Sequence, residues 1–183
     1  MLFYFKSKIT DKEYYEFYKF HLLKTPEGRG SIVIARLILP ALLILFFLLP
    51  AFMRSKDFAD MLVDLLFYAA ISALWFFAVM PLLLLSVRIN MKLMKMSGKQ
   101  YRDDLSIQFY DDHFIVPTES NDSKIKYTNI KRIAVGDNAI YIYATALLAY
   151  IIPFSVFESN KHKALFLTFI KNISKNTKAS KLL

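Results

Sequence analysis

Cysteine is absent from this 183-residue chain, and glycine occurs only four times. Without a thiol there is no disulfide framework, no thiolate metal site and no cysteine nucleophile, and the redox state of the compartment leaves no mark on the sequence. Four glycines leave no Gly-rich phosphate loop, and no serine stands in a G-x-S-x-G context. The three histidines lie far apart, and His21 and His162 have neither an acid nor a nucleophile beside them, so packing is the expected role of each. The first thirty-one residues are too charged for a secretory signal, and no small-residue cleavage pattern follows a short apolar core. No internal repeat is visible. These absences together argue against an enzyme, and no cofactor is expected.

What the chain does have is apolar bulk and positive charge. Hydrophobic residues make up 56%, the mean hydropathy is +0.35 and the formal charge is +9. That is too apolar for an ordinary soluble domain and places the chain in a membrane class. In such a class the cations report orientation and anionic headgroups, so nucleic acid is not expected as a partner. Two spans are expected, residues 32–53 with Arg36 near the start, where its guanidinium can snorkel to the interface, and residues 65–87 with no charge at all. Pro40 and Pro81 are candidate kinks. Seven Lys or Arg lie from Met1 to Arg36, two in the loop between the spans and five from Arg88 to Arg102. The positive-inside rule therefore puts both outer flanks in the cytoplasm and the hairpin tip outside.

A further uncharged stretch, AIYIYATALLAYIIPFSVF from Ala139 to Phe157, is long enough to span. Two arguments oppose a third span. The lysine-rich tail after it would then lie outside, and eleven of its nineteen residues are β-branched or aromatic against two leucines, whereas the second span holds seven leucines. Two buried strands with a turn near Ala144-Thr145-Ala146 fit better. Leu105, Ile107 and Phe109, then Asp111-Asp112, then Phe114-Ile115-Val116 predict a hairpin. Ile125 and Tyr127 alternate with Lys124 and Lys126, and Ile130, Ile133 and Val135 lead to the turn Gly136-Asp137-Asn138. Leu165, Phe166, Phe169, Ile170 and Ile173 predict one apolar face of a helix from near Asn160. Upstream, Thr10-Asp11-Lys12-Glu13 matches a capping box opening an aromatic helix, which lies on the membrane surface or packs on the cytosolic domain, and Pro26 to Gly30 supply a turn.

The helical hairpin, the Tyr/Phe-rich segment before it, SIQFYDDHFIV, KIKYTNIKRI, AIYIYATALLAYIIPFSVF and the final amphipathic helix together resemble the YcxB-like family of bacterial membrane proteins. The resemblance implies a cytosolic part similar to a pleckstrin-homology-like antiparallel barrel closed by a C-terminal helix, and a place in the bacterial inner membrane. It carries over no catalytic residue. The expected organisation is a cytosolic aromatic segment over residues 1–31, a membrane helical hairpin over 32–87 and a small α+β domain over 88–183.

Two basic groups are the candidate contact sites for headgroups or for a protein or peptide partner. Lys92, Lys95 and Lys99 share a helical bearing just past the second span, where topology alone also explains them. Lys124, Lys126, Lys131 and Arg132 lie on expected strands, where a solvated sheet face is the plainer reading. Asp103, Asp104, Asp111, Asp112 and His113 offer cation ligands, but aspartates are common in turns and no second cluster follows, so no metal is expected. Asp57, Asp60 and Asp64 complement the dipole of the second span. Ala69 and Ala73 have the small-xxx-small spacing of a helix contact. A transporter or channel subunit lacks the ionisable residues of a substrate path. The expectation is thus a membrane-anchored binding or regulatory module, with protection against a membrane-active toxin or bacteriocin as the alternative; its oligomeric state is not legible.

The cation count makes a direct prediction. In a chain without native cysteine, Ser55→Cys, Ser123→Cys and Ser180→Cys should react with an impermeant reagent in intact cells only at position 55. Labelling at 180 would mean that Ala139 to Phe157 crosses the membrane.

Overall fold

The capping box at Thr10 forms. In a computed structural model of the chain, which describes residues 1–54, 57–96, 104–117, 123–176 and 180–182, the Glu13 carboxylate accepts from the Thr10 N–H at 2.8 Å while Thr10 Oγ1 accepts from the Glu13 N–H at 3.3 Å. Two orphan donors are closed reciprocally, and helix α1 (Asp11–Lys24) follows. Ahead of it lies a strand the sequence did not advertise, β1 (Phe3–Lys8). The described residues divide into two units, residues 1–20 with 91–183, and residues 21–90.

In the second of these, the segment Pro26 to Gly30, expected as a turn, is already helical. Helix α2 (Pro26–Leu43) places proline at its first position, where a missing N–H costs nothing, and Thr25 is the N-cap. Thr25 Oγ1 accepts from the Gly28 N–H at 3.0 Å and donates to the His21 carbonyl at 2.7 Å, so one buried hydroxyl makes the corner between helices. A Cβ on Gly28 would lie 2.1 Å from that carbonyl, which fixes glycine there. A π-helical turn (Ile44–Leu48) and α3 (Leu49–Arg54) continue the rod. The Leu49 N–H donates to the Ile44 carbonyl just before Pro50, which has no N–H, so the wide turn takes up the break in the ladder.

Helix α4 (Phe58–Met96) runs through Pro81 without interruption. The rods Pro26–Arg54 and Phe58–Met94 are each long and apolar enough to cross a membrane. They leave Leu74 and Phe77 more than 70% exposed, apolar surface that calls for lipid rather than water. Their seam carries the Trp75 indole N–H donating to the Ala35 carbonyl at 2.9 Å, with Ile32 and Val79 buried. Ala69 and Ala73, whose small-xxx-small spacing often occurs by chance, are exposed. Ser72 and Ser86 return their hydroxyls to the carbonyls of Tyr68 and Leu83, leaving no demand on the apolar surroundings.

The other unit holds two four-stranded sheets. The first has the order β1, β2 (Asp104–Phe109), β3 (His113–Val116), β4 (Ser123–Lys126), all antiparallel. The second has the order β7 (Ala149–Pro153), β6 (Ala139–Tyr143), β5 (Arg132–Val135), β8 (Ser180–Leu182), with β8 parallel to β5. Both expected hairpins are present. The expected closed barrel is not, and the reason lies in β5. One of its edges pairs with β6 and the other with β8, so none is left for β4, and the turn Tyr127–Asn129 carries the chain from one sheet to the other.

Helix α5 (Asn160–Asn176) packs Phe166, Ile170 and Ile173 into a core shared with Phe5, Ile107, Phe109 and Phe114 of the first sheet and Ile140, Ile142 and Ile152 of the second. Leu165, expected on that apolar face, is 56% exposed. The second sheet has its other face covered too. Ala134, Tyr141, Tyr143 and Ile151 meet Phe17 of α1, with Tyr14, Tyr18 and Phe20 around them. All five residues of β6 are therefore buried. A strand covered on both faces reads as a continuous apolar run, which is why Ala139 to Phe157 imitates a membrane span.

β1 is integral to this core. Phe5 is 3% exposed, with the rings of Phe166, Phe157 and Phe109 at 4.8, 5.1 and 6.0 Å. Phe5→Ala should lower the unfolding free energy of the unit by about 3–5 kcal/mol, whereas Tyr4→Ala, on the outward face of the same strand, should cost far less. Equal losses in denaturant titrations of the two variants would argue against a core role for β1.

Candidate functional site

The cations expected to make contact fall into different surroundings. Lys92 is exposed on α4, Lys95 follows on the same helix, and Lys99 lies outside the described residues. Lys124 and Lys126 project from β4, an edge strand whose Ile125 turns inward. Their register partners on β3 are Ile115 and His113. Arg132 departs from the expected patch. It is 7% exposed, on the face of β5 that also carries Ala134, and its guanidinium stands 5.7 Å from the Tyr143 ring. Alternation along a strand covered on both faces gives it no solvated side, so Arg132 is a packing residue and not a surface cation. Lys131, one residue earlier, is exposed, and its N–H donates to the Tyr143 carbonyl at 2.9 Å.

Sequence reading missed two members of the basic face. Phe5 pairs with Ile107 in the core, so Lys6 and Lys8 of β1 point the other way, and both are exposed. The same alternation carries through Gln108 and Ile115 to Lys124. Lys6, Lys8, Lys124 and Lys126 thus lie on one outward sheet face, with Asp104 opposite Lys8. The signal that would have found β1 is the alternation FYFKSK, short and isolated at the start of the chain.

At the β2–β3 turn the His113 ring stacks on Tyr110 at 4.9 Å and its Nδ1 meets the Asp112 carboxylate. That hydrogen bond holds the Asp112 carboxyl below its usual range. Tyr127 supports the turn by donating its hydroxyl to the Tyr110 carbonyl and its N–H to the Asp112 carbonyl, and burial pushes its phenol pKa up. Of the acids named as possible cation ligands, Asp112 therefore serves a turn together with His113, Asp104 begins β2, and Asp103 lies outside the described residues. Among the described residues no group of three or more His, Asp or Glu is arranged to hold a metal ion. A groove of about 280 Å³ between α1 and β6, lined in part by Lys12, Glu13, Glu16, Asn138 and Tyr141, is smaller than most ligand pockets, and its Glu13 is already engaged by Thr10.

Within the helical unit, the Arg36 guanidinium lies over the Phe76 ring at 4.2 Å, and its Nε is buried without a hydrogen-bond partner among the described residues. The arginine thus meets the neighbouring helix. Phe77 to Val87 continue the apolar run beyond that level.

Tyr141 gives the second sheet a titratable handle. Burial, then the carboxylates of Glu16, Asp137 and Glu13, push its phenol up to about 12. Its ring rests where Gly136 has no side chain, since a Cβ there would lie 2.8 Å from Tyr141 Cε2. Between about pH 10 and 12 the unfolded phenol loses its proton while the folded one keeps it, so stability is full below pH 10 and falls as pH rises. Chemical unfolding of the protein in detergent at pH 9, 10 and 11 should show a decline that Tyr141→Phe makes shallower. An unchanged slope in that variant would contradict the burial of this hydroxyl.

No curated protein and no solved structure matches the chain. Residues 109–170, from the last residue of β2 into α5, do match the family model of YcxB-like protein, and across that part of the β unit the resemblance to the YcxB-like family holds.

Proposed function

We propose that the chain is a membrane-anchored, non-catalytic binding module of the bacterial inner membrane, whose pleckstrin-homology-like unit lies in the cytoplasm and meets anionic lipid headgroups through the outward face of its first sheet. The observation that carries this reading is the convergence of Lys6 and Lys8 with Lys124 and Lys126 on one face, from opposite ends of the sequence. Two helices long and apolar enough to span support the anchor. The compartment is supported by two independent arguments. β1 precedes the helical hairpin and β2 follows it, yet they share six register pairs, which two strands can do only in one compartment. The cation count then favours the cytoplasmic side. Two sheets with a C-terminal helix packed between them support the pleckstrin-homology-like reading of the fold.

Each cation near an anionic surface is worth about 1 kcal/mol, and the attraction fades beyond a Debye length of about 10 Å at 0.1 M salt. Four lysines on a tethered unit are enough to bias its position. With the full chain in nanodiscs and a fluorophore on Ser123→Cys, energy transfer to headgroup-labelled lipid should be higher in anionic than in neutral bilayers and should fall as salt rises. Lys6, Lys8, Lys124 and Lys126 changed together to Glu should remove the difference. Equal transfer in both lipids for the unaltered face would sink the headgroup reading and favour a protein or peptide partner.

A further inference from the structure

The turn between β6 and β7 has an unusual composition, and most of its backbone N–H groups are bonded within it. It reads Ala144-Thr145-Ala146-Leu147-Leu148, with none of the Gly, Asn or Asp that tight turns favour. The N–H groups of Ala144 and Thr145 both donate to the Leu148 carbonyl, at 3.0 and 3.3 Å. Thr145 Oγ1 accepts from the N–H groups of Leu147 and Leu148, at 3.3 and 2.9 Å. Four of the five backbone donors of this tip are thus satisfied within it. Its side chains are the opposite of hidden, Leu147 being 73% and Leu148 57% exposed.

One exposed leucine asks for no explanation. Here two are adjacent, they cap a stretch with no charge from Ala139 to Phe157, and four of the five backbone N–H groups beneath them are already bonded. A lysine stands at the base, since the Lys131 N–H is bonded to the Tyr143 carbonyl where β6 ends. Apolar tip, closed amides and a flanking cation suit the boundary between headgroups and acyl chains, where unpaired backbone groups are costly and cations meet lipid phosphate. A protein partner would be expected to exchange hydrogen bonds across its interface, about one per 100–200 Å², and this tip has few N–H groups left to donate to one. The tether raises the effective concentration of a bilayer above that of any free partner.

We infer that the β6–β7 tip docks on the bilayer that holds the helical hairpin, burying Leu147 and Leu148 below the headgroups with Lys131 at the lipid phosphates. The inference rests on the membrane-anchored reading above but is independent of the basic face of the first sheet.

The absence of native cysteine makes the test clean. The full chain is placed in nanodiscs of mixed neutral and anionic lipid, with an environment-sensitive fluorophore on Leu147→Cys, on Asp137→Cys at the opposite end of β6, or on Phe77→Cys in the second span. Nitroxide spin labels just below the headgroups should quench the probe at 147 at least twofold while leaving 137 unaffected, and Leu148→Asp or Lys131→Glu should reduce quenching at 147. Quenching at 77 but not at 147 overturns the tip docking and leaves the anchor standing. No quenching by acyl-chain nitroxides at 77 overturns the anchor and the inference with it. A probe at 147 that is shielded from water yet untouched by nitroxide lipid would show a protein occupant, a second copy included, and equally overturn the proposal.

Discussion

The pairing of β1 with β2 is the constraint from which the architecture follows. Lys8 faces Asp104 and Phe3 faces Phe109, so the residues before the helical hairpin and those after it are woven into a single sheet. The hairpin is in this sense an insertion into a β domain, and the domain cannot be separated from the start of the chain without losing an edge strand and the Phe5 ring from its core.

The second sheet shows how coverage decides what a sequence looks like. α5 and the shared core lie on one face, and the aromatic residues of α1 on the other. No position on β6 then needs to be polar, and the strand loses the alternation by which a half-exposed strand is recognised. Arg132 follows from the same arrangement. On a sheet with one wet face it would have been a surface cation, while on β5 it is buried beside the Tyr143 ring of β6. The first sheet keeps one face in water, and there alternation remains legible from Tyr4 through to Lys126.

Much of the fold could be read from local pattern. The capping box, the hairpin of β2 and β3, the strand pair in the uncharged stretch and the C-terminal helix each rest on signals contained within a few residues. What escaped reading depends on distant partners. β1 is six residues long and acquires its meaning only from β2. The barrel stays open because β8, from the far end of the chain, takes the free edge of β5. Pro26 looks like a turn residue until Thr25 is seen to cap the helix that starts there. The basic face was half legible for the same reason, since Lys124 and Lys126 alternate with an apolar residue in plain view, while Lys6 and Lys8 join them through pairing alone.

The distance in sequence between β1 and β2 also sets a timetable. A ribosome adding about 5–20 residues per second delivers β2 on the order of ten seconds after β1. Throughout that interval Phe3 and Phe5 have no strand to lie against. Were the two apolar helices between them to insert as a hairpin, the chain would return to the surface it left, which would shorten the search that a free loop of that length faces. On the membrane-anchored reading, the same helices would act during synthesis as the clasp between β1 and β2, and a hairpin that failed to insert would leave an aromatic strand unpaired and prone to find the wrong neighbour.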